Sequence, residues 1–289
     1  MSNIITLQEV FASIPERKKN SSKYDYGKLL AICGSTYYRG AAFLSCAGAL
    51  RSGVGIITLA STEKVISCVS ASLPECTFLP LKESENGTID ANSLNNIGEI
   101  SKKYNAILIG CGLSIDDSTR ELVKNIVKHA ECQLVIDADA INILSECPDL
   151  IKQTKMPPII TPHFNEMARL FGVDRKIIEI SPEDSALEFS KKYNCITVLK
   201  SHITYITTPD GKVAVNSQTG NSGLAKGGSG DVLAGMIASF CAQKINPFDA
   251  SKCGVFLHGK AADRCAERLS KQSMLPSDIL TDLSTMFSE

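Results

Sequence analysis

The sequence predicts an α/β fold in which a mostly parallel central sheet carries helices on both faces. Short apolar runs alternate with amphipathic stretches of helical period along most of the chain, which is the pattern of βαβ units. The runs are apolar throughout instead of alternating with polar residues, as strands buried on both faces are. Because the 289 residues contain no linker or repeat, we expect one domain over residues 1–289.

Each element follows from this pattern. Strands are predicted at residues 29–33, 55–59, 106–109, 134–136, 158–160 and 195–199. Helices are predicted at residues 41–50, 63–71, 93–101, 118–130 and 182–192, and a helical segment from 231 to about 269. Thr204–Thr207 and Val213–Asn216 flank the turn signal Pro209-Asp210-Gly211 and predict an antiparallel hairpin.

Composition excludes several classes of protein. Lys and Arg number 30 and Asp and Glu 31, a net charge of −1, so nothing indicates a general affinity for nucleic acid or anionic membrane. The chain has neither the roughly 18 apolar residues of a membrane helix nor a secretory signal, so we expect a cytoplasmic protein. Its 11 cysteines include no C-x-x-C pair and are interpreted as buried thiols in a reducing compartment.

In a parallel sheet, ligands bind beyond the carboxyl ends of the strands. Gly34-Ser35 before Ala41-Ala42, and Gly110-Cys111-Gly112, follow two predicted strands. Small residues there allow a ligand to approach the backbone. Close packing of helix on sheet explains them equally well, so neither segment is decisive alone.

Carboxylates follow the strand at 134–136. Asp137 and Asp139 can hold Mg²⁺ through water or can cap the next helix. Capping is the favoured interpretation for one of the two, but not for both.

The strand at 158–160 leads into a helix. Thr161 suits its N-cap and Pro162 its first position. His163 and Glu166 are three residues apart and share one face of the first turn. That face points either into the crevice or to solvent, and the spacing favours neither.

A polar loop joins the strand at 195–199 to the hairpin. Its Lys200 can meet a phosphate group as a point charge. The alternative interpretation is an ordinary solvated connection.

The strongest signal is the segment 220–231, with five glycines in twelve residues before an apolar helix. Successive main-chain amides in such a loop cradle an anion, and the helix N-terminus adds partial positive charge. Asp231, in the first helical turn, either caps the helix or accepts a proton from a substrate hydroxyl. No G-x-x-x-x-G-K-[ST] occurs, so phosphoryl transfer here does not use a Walker A loop.

At this point the residues resemble a known family. Gly228-Ser229-Gly230-Asp231 is similar to the G-x-G-D signature of the ribokinase-like superfamily. A wider ordered set resembles the ADP-dependent NAD(P)H-hydrate dehydratase family from about Lys23 onward. The set comprises Tyr26-Gly27-Lys28, Gly34-Ser35, Gly40-Ala41-Ala42, 51–55, Gly110-x-Gly112, Asp137-Ala138-Asp139, 161–170, the glycine loop, His258-Gly259, Ala261-Ala262-Asp263 and Ser277-Asp278-Ile279.

The resemblance implies a ribokinase-like three-layer α/β/α fold and a carbon–oxygen lyase of metabolite repair. Its substrates are hydrated NADH or NADPH, with a hydroxyl on ring carbon 6, and ADP as co-substrate. Phosphorylation of that hydroxyl and expulsion of phosphate regenerate NADH or NADPH, with AMP as the other product. The resemblance also implies Mg²⁺ and a homo-oligomer, for instance a tetramer. Because the chain has no room for the fused epimerase of many bacterial members, it is expected to act as the dehydratase alone.

The roles that the resemblance implies fall into four sets. Asp231 is the catalytic base, and the hydrated cofactor contacts Ala41, Gly112, His163 and Asp231. The nucleotide contacts Lys200, Ser201, His202, Ile203, Thr204 and Gly230. The anion loop is Gly227, Gly228, Ser229 and Gly230, and Mg²⁺ contacts Glu166 and Asp137 through water.

Two residues depart from the family pattern. Ser201 stands where a glycine is expected, which puts the shape of the nucleotide loop in question. Lys226 stands where a small or hydroxyl residue is expected, and it either adds charge near the phosphates or points to solvent.

Two other functions share these features. An ATP-dependent small-molecule kinase of the same superfamily needs the same loop and Asp231, but the segment 161–170 favours the dehydratase. A nucleotide-sensing protein without turnover does not need the carboxylate that Asp231 supplies.

Overall fold

The computed structural model describes residues 3–288, which form one ten-stranded sheet. The strands are β1 (Asn3–Ile4), β2 (Lys28–Ile32), β3 (Ile56–Thr62), β4 (Thr77–Leu81), β5 (Ala106–Ile109), β6 (Gln133–Ile136), β7 (Ile159–Ile160), β8 (Ile196–Leu199), β9 (Thr204–Thr207) and β10 (Val213–Asn216). Their order is β1-β10-β9-β8-β7-β6-β5-β2-β3-β4. Among these strands only β9 runs antiparallel to its neighbours, so the prediction of a mostly parallel sheet is confirmed.

Helices cover both faces of the sheet. They are α1 (Leu7–Ser13), α2 (Arg39–Arg51), α3 (Glu63–Ser70), α4 (Ile97–Ser101), α5 (Asp117–His129), α6 (Ala138–Leu144), α7 (Phe164–Phe171), α8 (Arg175–Ile180), α9 (Pro182–Tyr193), α10 (Ser229–Ala242), α11 (Pro247–Leu269) and α12 (Pro276–Leu283). None of these helices, all within residues 3–288, combines the length and the apolar character needed to cross a membrane.

Two apolar cores separate the three layers. Successive strand residues face opposite sides of a sheet, so Leu29 and Ala31 of β2 enter one core and Leu30 and Ile32 enter the other. The first core lies under α1, α2, α3, α10, α11 and α12, and the second lies under α4 to α9. This is the three-layer α/β/α arrangement that the sequence predicts.

The helix layer changes between β2 and β5, which are adjacent parallel strands. Helix α2, after β2, packs in the first core, whereas α5, after β5, packs in the second. In open α/β sheets, such a change of layer marks the carboxyl edge at which ligands bind. We therefore expect a ligand site at the carboxyl edge of the sheet near this change of layer.

The structure corrects some predicted boundaries. The predicted helix at 93–101 is a 3-10 turn, Ala91–Leu94, followed by the short α4. The helical segment 231–269 is broken into α10 and α11, because Lys244 has a left-handed φ of 67° and Asn246 caps a new helix that starts at Pro247. The edge strands β1 and β4 have no counterpart in the sequence prediction. Strand β4 contains Pro80, which edge strands tolerate.

Helix α10, whose N-terminus carries Asp231, packs directly against α2. A Cβ on Gly235 would lie 2.0 Å from the carbonyl oxygen of Ser45, and one on Gly48 would lie 2.7 Å from that of Val232. Both glycines are therefore required by close helix approach, and the approach fixes the position of α10 against the sheet.

We expect Gly235→Ala to destabilise the protein by about 1–3 kcal/mol, because overpacking outweighs the gain in helix propensity. Gly40→Ala in α2 is the matched control, since nothing lies within 4 Å of the added methyl group. Urea denaturation should show a lower midpoint for Gly235→Ala and an unchanged or higher midpoint for Gly40→Ala. Equal midpoints would contradict the packing argument.

Candidate active site

Polar groups from three segments meet at the carboxyl edge of the sheet. Asp137 follows β6, Cys111 follows β5 and Asp231 lies in the first turn of α10. One carboxylate oxygen of each aspartate and the Cys111 sulfur all lie within 4.8 Å of one another. The structure therefore brings the predicted base and the predicted metal-site carboxylate into one cluster.

Asp137 is almost fully buried, with 2% of its surface exposed. Its Oδ1 accepts hydrogen bonds from Lys200 Nζ at 2.7 Å and from Thr161 Oγ1 at 2.5 Å. The Cys111 thiol donates to its Oδ2 at 3.7 Å. A buried carboxylate needs such partners, and these hold Asp137 in one orientation.

Lys200 follows β8, and its main-chain amide donates to the Pro162 carbonyl at 2.8 Å. Burial alone lowers the pKa of Lys200, but the carboxylates of Asp137 and Glu166 more than offset this, so its pKa is raised. The ammonium therefore stays charged. It supplies positive charge to the cluster and remains available to a phosphate group.

Asp231 differs from an ordinary carboxylate. Burial, followed by the nearby charge of Asp137, raises its pKa from 3.8 to about 7, although the Cys111 thiol and Lys200 act to lower it. A group with a pKa close to the working pH is well suited to accept a proton. This property supports the role of base over that of a helix cap.

The glycine loop leads directly into this cluster. Gly228 is the N-cap of α10 with a left-handed φ of 99°, which glycine adopts without strain. A Cβ on Gly230 would lie 3.5 Å from Lys200 Nζ and 3.9 Å from Asp137 Oδ2. The first amides of α10 lack intrahelical acceptors, so they and Lys200 offer positive charge to one anion beside Asp231.

The glycine loop is anchored at both its start and its middle. The Asp263 carboxylate accepts from the Gly220 amide and from Asn221 Nδ2, each at 2.9 Å. Lys226 Nζ donates to the carbonyls of Gln272 and Met274, each at 2.7 Å. Its ammonium therefore ties the loop to the segment before α12 and does not point freely to solvent, whereas a contribution of its charge near the phosphates stays a prediction.

His163, not Thr161, is the N-cap of α7, and Phe164, not Pro162, is its first residue. The Thr161 hydroxyl is used by Asp137 instead. His163 Nδ1 accepts from the Glu166 amide at 3.3 Å, and Glu166 Oε2 accepts from the His163 amide at 2.8 Å, which forms a capping box. Glu166 is buried, and burial raises its pKa.

The favoured capping role of one carboxylate after β6 is also wrong. Asp137 occupies the N-cap position of α6 without a side-chain capping bond. Asp139 accepts from the Ser114 amide at 2.8 Å, which ties the loops after β5 and β6 together. Both carboxylates therefore organise the crevice.

Ala41 and Gly112 form one wall of the crevice. A Cβ on Gly112, whose φ is 64°, would lie 2.7 Å from Ala41 Cβ and 2.6 Å from Tyr38 Cβ. Larger side chains at positions 41 and 112 would fill the space beside this wall. The structure thus brings together two of the residues predicted to contact the hydrated cofactor.

The remaining predicted nucleotide residues form a tight turn between β8 and β9. Ser201 Oγ accepts from the Ile203 amide at 3.3 Å and donates to the Ile203 carbonyl at 3.0 Å. His202 is exposed and Thr204 is buried. Only Lys200 of this loop joins the carboxylate cluster, so contact of Ser201, His202, Ile203 and Thr204 with a nucleotide stays a prediction.

The donor set fits a hard divalent cation such as Mg²⁺, which prefers carboxylate oxygens and bound water. Asp137 and Asp139 both raise the pKa of Asp231, which indicates negative charge that a cation would neutralise. Asp137 Oδ1 is already taken by Lys200 and Thr161, and one Glu166 oxygen is taken by the capping box. Contacts through water suit both residues better than direct ligation.

Sequence reasoning missed the Cys111 thiol, which lies between the two aspartates. It also missed Tyr38, which contacts the Gly112 wall. The G-x-G spacing drew attention to the glycines, and no motif marked the residue between them. The register of β5 against β6, which pairs Ile109 with Ile136, is what places Cys111 beside Asp137.

Residues 29–285 match the NAD(P)H-hydrate dehydratase family. A bifunctional NAD(P)H-hydrate repair enzyme of Thermofilum pendens is 34% identical over 90% of this chain and 50% of its own length, so the chain spans about half of that relative. The crystal structure of an ADP/ATP-dependent NAD(P)H-hydrate dehydratase of Bacillus subtilis, co-crystallised with ATP and Mg²⁺, superposes with a TM-score of 0.85. It is 31% identical and covers 99% of this chain and 98% of its own. A ribokinase-like superfamily protein of Enterococcus faecalis has a TM-score of 0.84 and 27% identity, over 99% and 95% of the two chains.

We expect Lys200→Met to lower the free energy of unfolding by about 3–5 kcal/mol, because it leaves the Asp137 carboxylate buried without its cation. Adding Asp137→Asn should recover more than half of this loss. The control is Arg175→Met, which breaks the exposed Arg175–Glu179 pair and should cost about 0.5 kcal/mol or less. Chemical denaturation measures all three variants. A Lys200→Met loss no larger than the control would contradict the ion-pair argument.

Proposed function

Because the chain belongs to the NAD(P)H-hydrate dehydratase family, we propose that it dehydrates hydrated NADH or NADPH with ADP as phosphoryl donor. The products are NADH or NADPH, AMP and phosphate. One observation carries the proposal: Asp231, with a pKa of about 7, lies in the first turn of the helix that the glycine loop introduces. A proton acceptor and an anion site therefore share one place.

In the first step, the ring hydroxyl gives its proton to Asp231, and its oxygen attacks the terminal phosphorus of ADP. A new P–O bond forms while the anhydride bond breaks and AMP leaves. The Gly230 amide and the Lys200 ammonium stabilise the charge on the transferring group. Main-chain amides and a lysine held by Asp137 need little rearrangement at that moment.

In the second step, the C–O bond of the phosphate ester breaks, driven by the lone pair of the ring nitrogen. Loss of a proton from the adjacent ring carbon restores the dihydropyridine. Phosphate is a far better leaving group than hydroxide, so the phosphoryl transfer makes a net dehydration feasible. Ala41 and Gly112 are proposed to form the wall on which the ring lies, and His163 is proposed to contact the hydrated cofactor as well.

Mg²⁺, when bound with the nucleotide, neutralises phosphate charge, and Asp137 and Glu166 are proposed to hold it through water. The co-crystallisation of the Bacillus subtilis protein with ATP and Mg²⁺ supports this part of the proposal. We further propose a cytoplasmic enzyme, a single domain over residues 1–289 and a homo-oligomer, for instance a tetramer. Its substrates are the hydrated cofactor and ADP, with no nucleic-acid or membrane partner.

The direct test is incubation with hydrated NADH, Mg²⁺ and either ADP or ATP, followed by NADH absorbance and by analysis of the phosphorus products. The proposal requires NADH, AMP and free phosphate with ADP. A stable phosphorylated product would instead identify a kinase. Binding of nucleotide without any product would identify a sensor.

Asp231→Asn should lower kcat by about 10²- to 10⁴-fold, because the amide cannot accept the hydroxyl proton. Binding of ADP should change little, since the main-chain amides and Lys200 remain. The variant should also unfold at a temperature no lower than the parent at pH 8, because it removes a buried charge. Full activity in a folded variant would show that another group is the base.

The rate should rise with pH until about 7 and then level off. The pKa of Asp231 is raised to about 7, so the carboxyl group becomes protonated below this pH. Each pH unit below 7 should then lower kcat/KM about tenfold. Because the pKa of Asp231 is raised on folding, its contribution to the free energy of unfolding is full below pH 3.8 and is lost as the pH rises towards 7. A profile measured with both substrates well below saturation reports this pKa, and a flat profile from pH 6 to 9 would contradict it.

A further inference from the structure

We propose that Lys226 is a positioning residue for phosphoryl transfer, which holds the glycine loop in its anion-binding shape by tying it to segment 270–276. We call this segment, which joins α11 to α12, the strap. The inference rests on the proposed function, because that function assigns the anion site to the glycine loop. It goes further in making nucleotide affinity depend on residues of the strap, which the nucleotide does not touch.

The Lys226 side chain ends on the strap. Its Nζ donates to the main-chain carbonyls of Gln272 and Met274, each at 2.7 Å. Hydrogen bonds from a charged donor are stronger than those between neutral groups, and two of the three donors of this ammonium are used here. Two fixed acceptors therefore hold the end of a long side chain that would otherwise keep its rotamer freedom.

Two packing contacts join the glycine loop to the strap on either side of Lys226 in the chain. A Cβ on Gly223 would lie 2.2 Å from Met274 Sδ, and one on Gly228 would lie 3.4 Å from Pro276 Cγ. Within the strap, Met274 and Pro276 are buried and the other five residues are exposed. The two buried residues of the strap are therefore the two that pack on the loop.

The main chain of Lys226 connects these contacts to the anion site. The Lys226 carbonyl accepts from the Ser229 amide at 3.3 Å, which closes a tight turn at the start of α10. The amides of Gly227, Gly228 and Gly230 have no acceptor in the described part of the chain, so they are available to an anion. Fixing Lys226 therefore fixes the turn that presents these amides.

A loop with five glycines in twelve residues can adopt many conformations, because glycine has the widest backbone freedom. When only a fraction of the molecules holds the binding conformation, the apparent Kd rises by the inverse of that fraction. Contacts with the strap raise this fraction before the nucleotide arrives. Their loss should therefore weaken nucleotide binding and leave the chemistry of the bound complex nearly unchanged.

The test measures ADP binding in the presence of Mg²⁺ by titration calorimetry, and the rate with hydrated NADH. Lys226→Met should raise both the Kd and the KM for ADP about 5- to 50-fold and leave kcat within about threefold of the native value. Lys226→Arg should recover most of the affinity, because its guanidinium keeps donors for both carbonyls. The matched control is Lys102→Met, which breaks the exposed Lys102–Glu99 pair and should change none of these constants.

A second variant loosens the strap without changing the loop. Met274→Ala removes the side chain that packs on Gly223 and should also raise the Kd for ADP. Because both changes act through the strap, the double variant should weaken ADP binding by less than the product of the two single effects. All titrations are made well below the unfolding temperature of the least stable variant, so that loss of folded protein does not contribute.

Three outcomes would overturn the proposal. In the first, Lys226→Met lowers kcat but not ADP affinity, which would make Lys226 a contact of the transferring group. In the second, it lowers only the unfolding temperature. In the third, the effects of Lys226→Met and Met274→Ala multiply in the double variant, as they would if Lys226 bound a phosphate group independently of the strap.

Binding and turnover together separate this inference from the proposed function. A native protein that binds ADP or ATP without forming NADH contradicts the proposed function alone, because the binding measurements still test the strap. An active native enzyme whose Kd and KM for ADP do not change in Lys226→Met contradicts this inference alone. A native protein that binds neither nucleotide contradicts both.

Discussion

The chemistry of this site depends on two neighbouring carboxylates, Asp137 and the partly buried Asp231, beside the ammonium of Lys200. Lys200 and the Thr161 hydroxyl hold Asp137, and Asp137 in turn raises the pKa of Asp231. Desolvation normally removes charge from a carboxyl group or forces it into an ion pair. Here Asp137 makes the ion pair with Lys200, whereas Asp231 makes no ion pair within residues 3–288 and can take up a proton. The difference between the two aspartates is therefore one of partners, not of residue type.

The position of Asp231 is set by constraints far from its side chain. Gly235 and Gly48 let α10 approach α2 closely, while Asp263 and Lys226 fix the preceding loop to α11 and to the segment before α12. An anion site made of main-chain amides has no side chain to reorient, so its shape is only as fixed as the segments that anchor it. The glycines that make the loop able to surround an anion also remove its local rigidity, and these anchors restore it.

Much of this arrangement could be predicted from the sequence, for identifiable reasons. The continuous apolar runs gave strands such as 106–109, and the Pro-Asp-Gly turn gave β9 and β10, because both signals are local. The glycine loop could be linked to Asp231 for the same reason, since the two are adjacent in the chain. The features that could not be predicted depend on contacts between distant segments. The Thr161 hydroxyl donates to Asp137, and His163 caps α7 in its place. Lys226 donates to carbonyls that lie after α11. The edge strands β1 and β4 were not predicted because β1 is two residues long and β4 contains a proline.

The same distinction explains why motif spacing indicates an anion loop more strongly than it indicates a substrate site. The consecutive amides that bind a phosphate group come from adjacent residues, and a run of glycines indicates them. The residues predicted to contact the hydrated cofactor are instead divided among distant segments, and Ala41, after β2, lies 71 residues before Gly112, after β5. Neither segment has a distinctive pattern alone, since small residues are common. Only the pairing of β2 with β5 brings the segments after these two strands together at one edge of the sheet.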